Sequence, residues 1–380
     1  MTTPKAPDVL ELTQELVRFE SITANNRETA ILEPVRKLLE SFGFTCSLMH
    51  YDADIPTRAN LIAELNPADK RPALCLGGHI DTVPFGNAPW DDDPLSGAVK
   101  DGKIYGRGTA DMKGGMAAIL CAAASMAGKL DGRNLVVHIY GGEEFGLLGS
   151  RYMAEQKPET LNNIGAVIVG EPTNNRPQFG HKGVTWFELC TKGVTAHAAM
   201  PEKGDNALLK LIPAACKLQH FQPEDTHPYL GKSTLVLSVM QSGLNTNSVP
   251  DSAVLKMDCR TVAGQDMEKL TLALRELAGP DATLTVPADI PPLWSDPEST
   301  WCRSVRRIVE EVTGTEAEVL CAEFATDAAA LKLGIPDVPM IVMGPGEQGM
   351  AHRTNENVRV EDLYTAQKIY EQIIADWYKL

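Results

Sequence analysis

The chain is 380 residues long, 43% apolar and 22% charged, with a formal net charge of −15 at pH 7. That length suggests two or three core-forming units of ordinary globular composition. The acidic balance argues against nucleic acid and membrane surfaces as partners, and no apolar run approaches the roughly 18 residues of a membrane span.

The amino terminus, MTTPKAPDVL, lacks the basic-then-apolar pattern of a signal peptide, so cytoplasmic residence is expected. The cysteines (Cys46, Cys75, Cys121, Cys190, Cys216, Cys259, Cys302 and Cys321) are scattered without a CxxC pair and read mostly as buried thiols.

In chain order, residues 8–42 are predicted to form two helices. Leu12, Leu16 and Phe19 recur at helical spacing, as do Ile31, Val35, Leu38 and Phe42, with Gly43 as a stop. Short strands follow at 44–49, 61–65 and 73–77. The alanine-rich run 115–128 reads as a buried helix, and 136–140 and 166–169 as continuous apolar strands. Strands alternating with helices imply an α/β fold with a mixed, mostly parallel sheet flanked by helices.

The character changes near Pro177. Strands at 184–191, 233–240, 253–260 and 282–286, with helices at 204–218 and 266–277, give an α+β two-layer sandwich. The proline-rich piece 287–297 is expected to be the return crossing. A helix at 300–312, a strand at 340–343 and a last helix from Glu361 then complete the first domain. The expected division is 1–177 and 288–380 for the larger domain, with 178–287 inserted.

The chemistry-bearing residues sit where apolar strands give way to glycine-rich turns. VVHIYGGEEFGLLGS puts Glu143 and Glu144 after a buried strand, where open α/β sheets place ligands; alone, the pair also reads as a solvated acidic turn. In GGHIDTVP, His79 and Asp81 share a strand face, as a metal ligand and its orienting carboxylate would. Asp111, in GRGTADMKGG, can bridge two cations or cap a helix, and the spacing departs from the GxGxxG of a dinucleotide site. Glu171 ends AVIVGEP, and His352 follows PMIVM in GPGEQGMAHRTNE. In a parallel sheet these turns meet along one edge. Two imidazoles, a shared carboxylate and further glutamates suit a pair of Zn2+ ions, which can activate water and polarise a carbonyl while a spare glutamate handles protons.

GGHIDTVP, GRGTADMKGG, GGEE, VGEP and AHRTNE, in this order, resemble the dinuclear-zinc amidohydrolases and exopeptidases, the family of acetylornithine deacetylase, succinyl-diaminopimelate desuccinylase, aminoacylase and a glutamate-releasing carboxypeptidase. The resemblance runs from about residue 8 to the end. It implies a zinc-peptidase-like domain interrupted by a dimerisation or lid domain, hence a homodimer formed through residues 178–287. It implies two Zn2+ per chain, with Co2+ or Mn2+ as possible substitutes. Asp111 would bridge, His79 and Glu171 would complete one zinc, and Glu144 and His352 the other. Glu143 would be general base and acid, and Asp81 would orient His79. The peptide after Asp111 is often cis in the family.

In the inserted domain, His197 of KGVTAHAAMP resembles a family histidine that crosses the dimer to the developing oxyanion. Asn247 and Arg260 resemble a pair that grips the substrate backbone or carboxylate. Thr326 and Asp327 lie in a segment that the family keeps near the metals.

The implied activity is hydrolysis of the amide of an N-acyl amino acid, with loss of acetate or a short dicarboxylic acid. The competing readings are a dipeptidase or carboxypeptidase with the same metals, and a non-catalytic binding protein on the same fold. The carboxyl-terminal segment resembles deacetylase-like members more than the desuccinylase. His181-Lys182 stands where the desuccinylase usually has a basic pair.

Overall fold

The computed structural model describes residues 4–380. The chain divides into two compact units. One takes the chain to Gly180, then Trp294–Ala322 and Thr326–Leu380; the other is His181–Leu293 with Glu323–Ala325.

The larger unit is built on a nine-stranded mixed sheet. Its centre holds Leu135–Tyr140, Ala73–His79, Ile164–Val169 and Met340–Val342 in that spatial order, each parallel to its neighbour. Ala59–Glu64 and Thr45–His50 extend one side antiparallel. Three of these strands are buried along their whole length and Ile164–Val169 at all but Gly165, which is why they read as unbroken apolar runs instead of alternating ones. Parallel pairing sends all four carboxyl ends to the same rim. Helix Gly114–Ala127 is buried nearly all round and packs against Val360–Tyr378. At about 1.5–3 kcal/mol per fully buried large apolar side chain, this core holds the rim turns in place.

Local signals fix the helix ends. The side chains of Asp8, Asn206, Asp266 and Ser299 each accept a backbone N–H in the first turn of the helix that follows. A small three-stranded sheet, Asn357–Arg359 on Lys103–Tyr105 on Ala98–Lys100, was not predicted. Its hairpin turns at Asp101-Gly102, both with positive φ, a two-residue signal that the sequence carried.

The smaller unit is a four-stranded antiparallel sheet, ordered Thr234–Ser242, Ser252–Thr261, Gly183–Lys192, Ala282–Ile290. Ala207–Leu218 and Met267–Ala278 bury Leu211, Leu218, Leu270 and Leu274 with Phe187, Leu189, Leu235 and Leu255 of the strands. One expectation is corrected. The strand from Ala282 does not stop before Pro287 but runs to Ile290, with a register shift between Thr285 and Ala288. Proline is tolerated there because this is an edge strand with an irregularity. Among the described residues no helix is long and apolar enough to cross a membrane.

Candidate active site

Four strands deliver the site. His79 is the last residue of its strand. Glu143 and Glu144 follow Tyr140 after two glycines, in a short 3-10 turn. Glu171 follows Val169 after one glycine, and His352 lies in the loop after Met340–Val342 with φ 63. Asp111 comes from the turn ahead of helix Gly114–Ala127, and its bond to Met112 is cis.

Close packing sets these turns against one another. A Cβ on Gly115 or on Gly344 would overlap the Gly170 carbonyl oxygen. Glycine is needed at both positions because three backbones meet beside Glu171.

The structure brings six expected residues together. His79 Nε2 is 3.0 Å from Asp111 Oδ1 and 3.6 Å from Glu171 Oε1. His352 Nε2 is 3.4 Å from Asp111 Oδ2 and 3.0 Å from Glu144 Oε2. Two groups, His79–Asp111–Glu171 and Asp111–Glu144–His352, each offer ligand atoms within 4.8 Å of one another, and they share Asp111. Glu143 joins His79 and Glu144 in a third such group.

The tautomer of His79 follows from its other nitrogen. Nδ1 is 3.0 Å from the Asp81 backbone carbonyl, which can only accept. Nδ1 therefore carries a proton, which leaves Nε2 as the nitrogen that would face a cation.

The Asp81 carboxylate, expected to orient His79, is 3.7 Å from Nδ1, and the Asp81 peptide carbonyl is the nearer partner at 3.0 Å. The carboxylate also accepts the Glu143 N–H (3.2 Å), the Glu144 N–H (3.3 Å) and the Thr23 hydroxyl (2.6 Å). It holds the glutamate turn, because a strand end points its side chain toward whatever loop lies beside it.

Charge is crowded here. Burial opposes a proton on His79, yet Glu171, Asp111 and Glu143 together lift its pKa well above the usual imidazole value. Hydrogen bonds to Asp111 and Glu144 raise His352 to about 10. Burial would raise Asp111, but both imidazoles hold it below the usual range. Burial pushes Glu143 and Glu171 well up, against the pull of His79.

Asp327, fully buried at the start of Asp327–Gly334, adds another acid. Burial raises it to about 7, against the pull of His79 and of a hydrogen bond from Ser150. Two imidazoles and a surplus of buried carboxylates are a donor set that fits a pair of divalent cations with N/O ligands.

Three groups were missed from sequence: Thr23, Arg107 and Glu356. Glu356 is fully buried in what reads as a polar loop, and no periodicity marks it.

The inserted-domain residues lie in the smaller unit. His197 bridges Ser248, and the Ala198 N–H donates to the Asn247 carbonyl (2.9 Å), so positions 197 and 247 adjoin. Both side chains are exposed. His197 Nδ1 accepts the Ala199 N–H at 3.0 Å, which leaves the ring proton on Nε2, free to donate. Asn247 lies in the loop ahead of strand Ser252–Thr261, and Arg260 stands near that strand's other end, opposite Val184. Arg260 pairs with Asp258 at 2.8 Å.

Comparison with known proteins agrees with this architecture. Residues 75–376 match the model of peptidase family M20/M25/M40. The chain is 30% identical to a succinyl-diaminopimelate desuccinylase of Rhodospirillum centenum, covering 98% of both chains. It is 27% identical to an acetylornithine deacetylase of Proteus mirabilis, covering 98% of this chain and 97% of that one. An M20 family metallo-carboxypeptidase from Sulfolobus solfataricus superposes with a TM-score of 0.77 at 20% identity, covering 98% and 100% of the two chains. A family match over most of the chain, a shared fold and a rim cluster able to hold cations converge: the chain belongs to peptidase family M20/M25/M40 and is a metal-dependent hydrolase.

Proposed function

We propose that this chain hydrolyses the amide bond of N-acyl amino acids, releasing acetate or a short dicarboxylic acid, as a cytoplasmic enzyme with two zinc ions. The observation that carries the reading is the sharing of Asp111 between two ligand groups, with Glu143 left over beside them. The names of the relatives at 27% and 30% identity point to the same substrate class.

In this reading His79, Asp111 and Glu171 hold one ion, and Asp111, Glu144 and His352 the other. When bound, such a pair supplies Lewis acidity, polarising a carbonyl and making water a stronger acid. Glu143, on a turn fixed by the Asp81 carboxylate, takes the proton of the attacking water and passes it to the leaving amine. The high pKa that burial gives Glu143 suits the second half of that task. His197, with its proton on Nε2, donates to the oxyanion from a second copy of the chain, and the inserted domain makes the homodimer. Asn247 and Arg260 bind the substrate's backbone or carboxylate.

The test is a panel of N-acetyl and N-succinyl amino acids and dipeptides with zinc-loaded enzyme, alongside Glu143→Ala. Acyl amino acids should be the preferred substrates, and the variant should lose roughly 10²–10⁴-fold in kcat with its metal retained. Preference for dipeptides would move the chain to the exopeptidase branch. Near-normal turnover by metal-loaded Glu143→Ala would remove Glu143 from its role.

A further inference from the structure

Behind the ligand cluster lies an ion pair that touches none of the reacting groups. Arg107 is 2% exposed and Glu356 fully buried, and Arg107 Nη1 is 2.6 Å from Glu356 Oε2. Arg107 stands four residues before Asp111, and Glu356 four residues after His352.

Each partner reaches into the other's loop. Glu356 accepts the backbone N–H groups of Gly108 (3.1 Å), Ala110 (2.8 Å) and Asp111 itself (3.0 Å). Arg107 donates to the carbonyls of Arg353 (3.2 Å) and His352 (3.5 Å), and to that of Pro84 at 3.1 Å. Its guanidinium also stacks on Trp90, 5.2 Å from the ring centroid. The Gly106 N–H donates to the Glu356 carbonyl at 3.0 Å, closing the tie through the main chain.

A buried ion pair is a poor route to stability, since apolar side chains of like volume often serve as well. Apolar side chains could not satisfy three loop amides and two loop carbonyls. His352 has a side chain 56% exposed, so packing does little to place it, and its own peptide carbonyl is among the atoms gripped.

We propose that Arg107 and Glu356 form a reciprocal clasp that fixes the Asp111 and His352 loops against each other before any cation binds. Both are positioning residues. The proposal rests on the reading of Asp111 and His352 as ligands. Partners of metal ligands are worth about 10–100-fold in metal affinity.

Two measurements test it. Metal-free wild type, Glu356→Gln and Arg107→Lys are titrated with Co2+ in competition with a chelator, with folding checked by circular dichroism. The carboxamide of Glu356→Gln turns a donor toward other donors, and the lysine of Arg107→Lys keeps charge but loses the fork. Each folded variant should bind the weaker Co2+ about 10–100-fold less tightly. Wild-type affinity for both ions in folded variants, even with a lowered Tm, would mean a merely structural role and would overturn the clasp.

The second measurement is amide hydrogen exchange in the wild type. The Gly108, Ala110 and Asp111 amides should be protected equally without and with Co2+. Fast exchange that slows only on Co2+ addition would overturn the proposal, and this arm decides if neither variant folds. A wild type that binds no Co2+ would defeat the metal reading alone, and fast exchange of the three amides in that protein would still overturn the clasp.

Discussion

His138 lies in the strand that delivers Glu143 and Glu144, and it is fully buried. Its Nδ1 is 3.1 Å from the Tyr140 hydroxyl and its Nε2 3.3 Å from Thr160 Oγ1. No acid faces it closely enough to support a charge, and burial lowers its pKa from 6.5 to about 3. Between those values the unfolded chain binds a proton that the folded chain refuses, so stability falls as pH drops below the unfolded value. The full difference is about 5 kcal/mol, of which about 2 kcal/mol is lost between pH 7 and pH 5.

His138→Gln keeps hydrogen-bonding capacity but cannot charge. Urea unfolding of wild type and variant, both in chelator so that metal linkage cancels, gives the stability gap at each pH. The wild type should lose about 2 kcal/mol relative to the variant on going from pH 7 to pH 5. A gap unchanged with pH would show that His138 is not held neutral by the fold, and the argument from its burial would fail.

Two further predictions concern the site. Asp81→Asn faces one amide N–H of the glutamate turn with a donor, and hydrogen bonds to a charged group are worth about 1.5–3 kcal/mol. kcat should fall about 10–100-fold, while the site that includes His79 keeps its metal affinity because the ring is held by a peptide carbonyl. A loss of metal in step with activity would contradict this. Gly115→Ala gains up to about 1 kcal/mol of helix propensity but drives a methyl into the Gly170 carbonyl. Overpacking of about 1–3 kcal/mol should win, and thermal unfolding should show net destabilisation with weaker metal binding beside Glu171.

The rim was legible because its residues follow strands whose apolar runs are unmistakable. His79, Glu143, Glu144 and Glu171 each sit at, or within four residues of, a strand end, and glycine marks the turn. What supports them was not legible. Glu356 lies among Arg353, Thr354, Asn355 and Asn357, a composition that reads as solvated, and only the tertiary fold buries it. The hold of the Asp81 carboxylate on the glutamate turn was not legible either, since sequence spacing cannot say which backbone amides a carboxylate meets.

The cluster is not equally deep on its two sides. The His79 and Glu171 side chains are 1% and 3% exposed, whereas that of His352 is 56% exposed. If two dications bind as proposed, the one on the inner side would be held mostly by protein atoms and would exchange slowly. One on the outer side would keep a face to solvent and would come and go first. Such a vestibule would make loading sequential, and the half-filled protein would be a species in its own right, its population following the free ion supply.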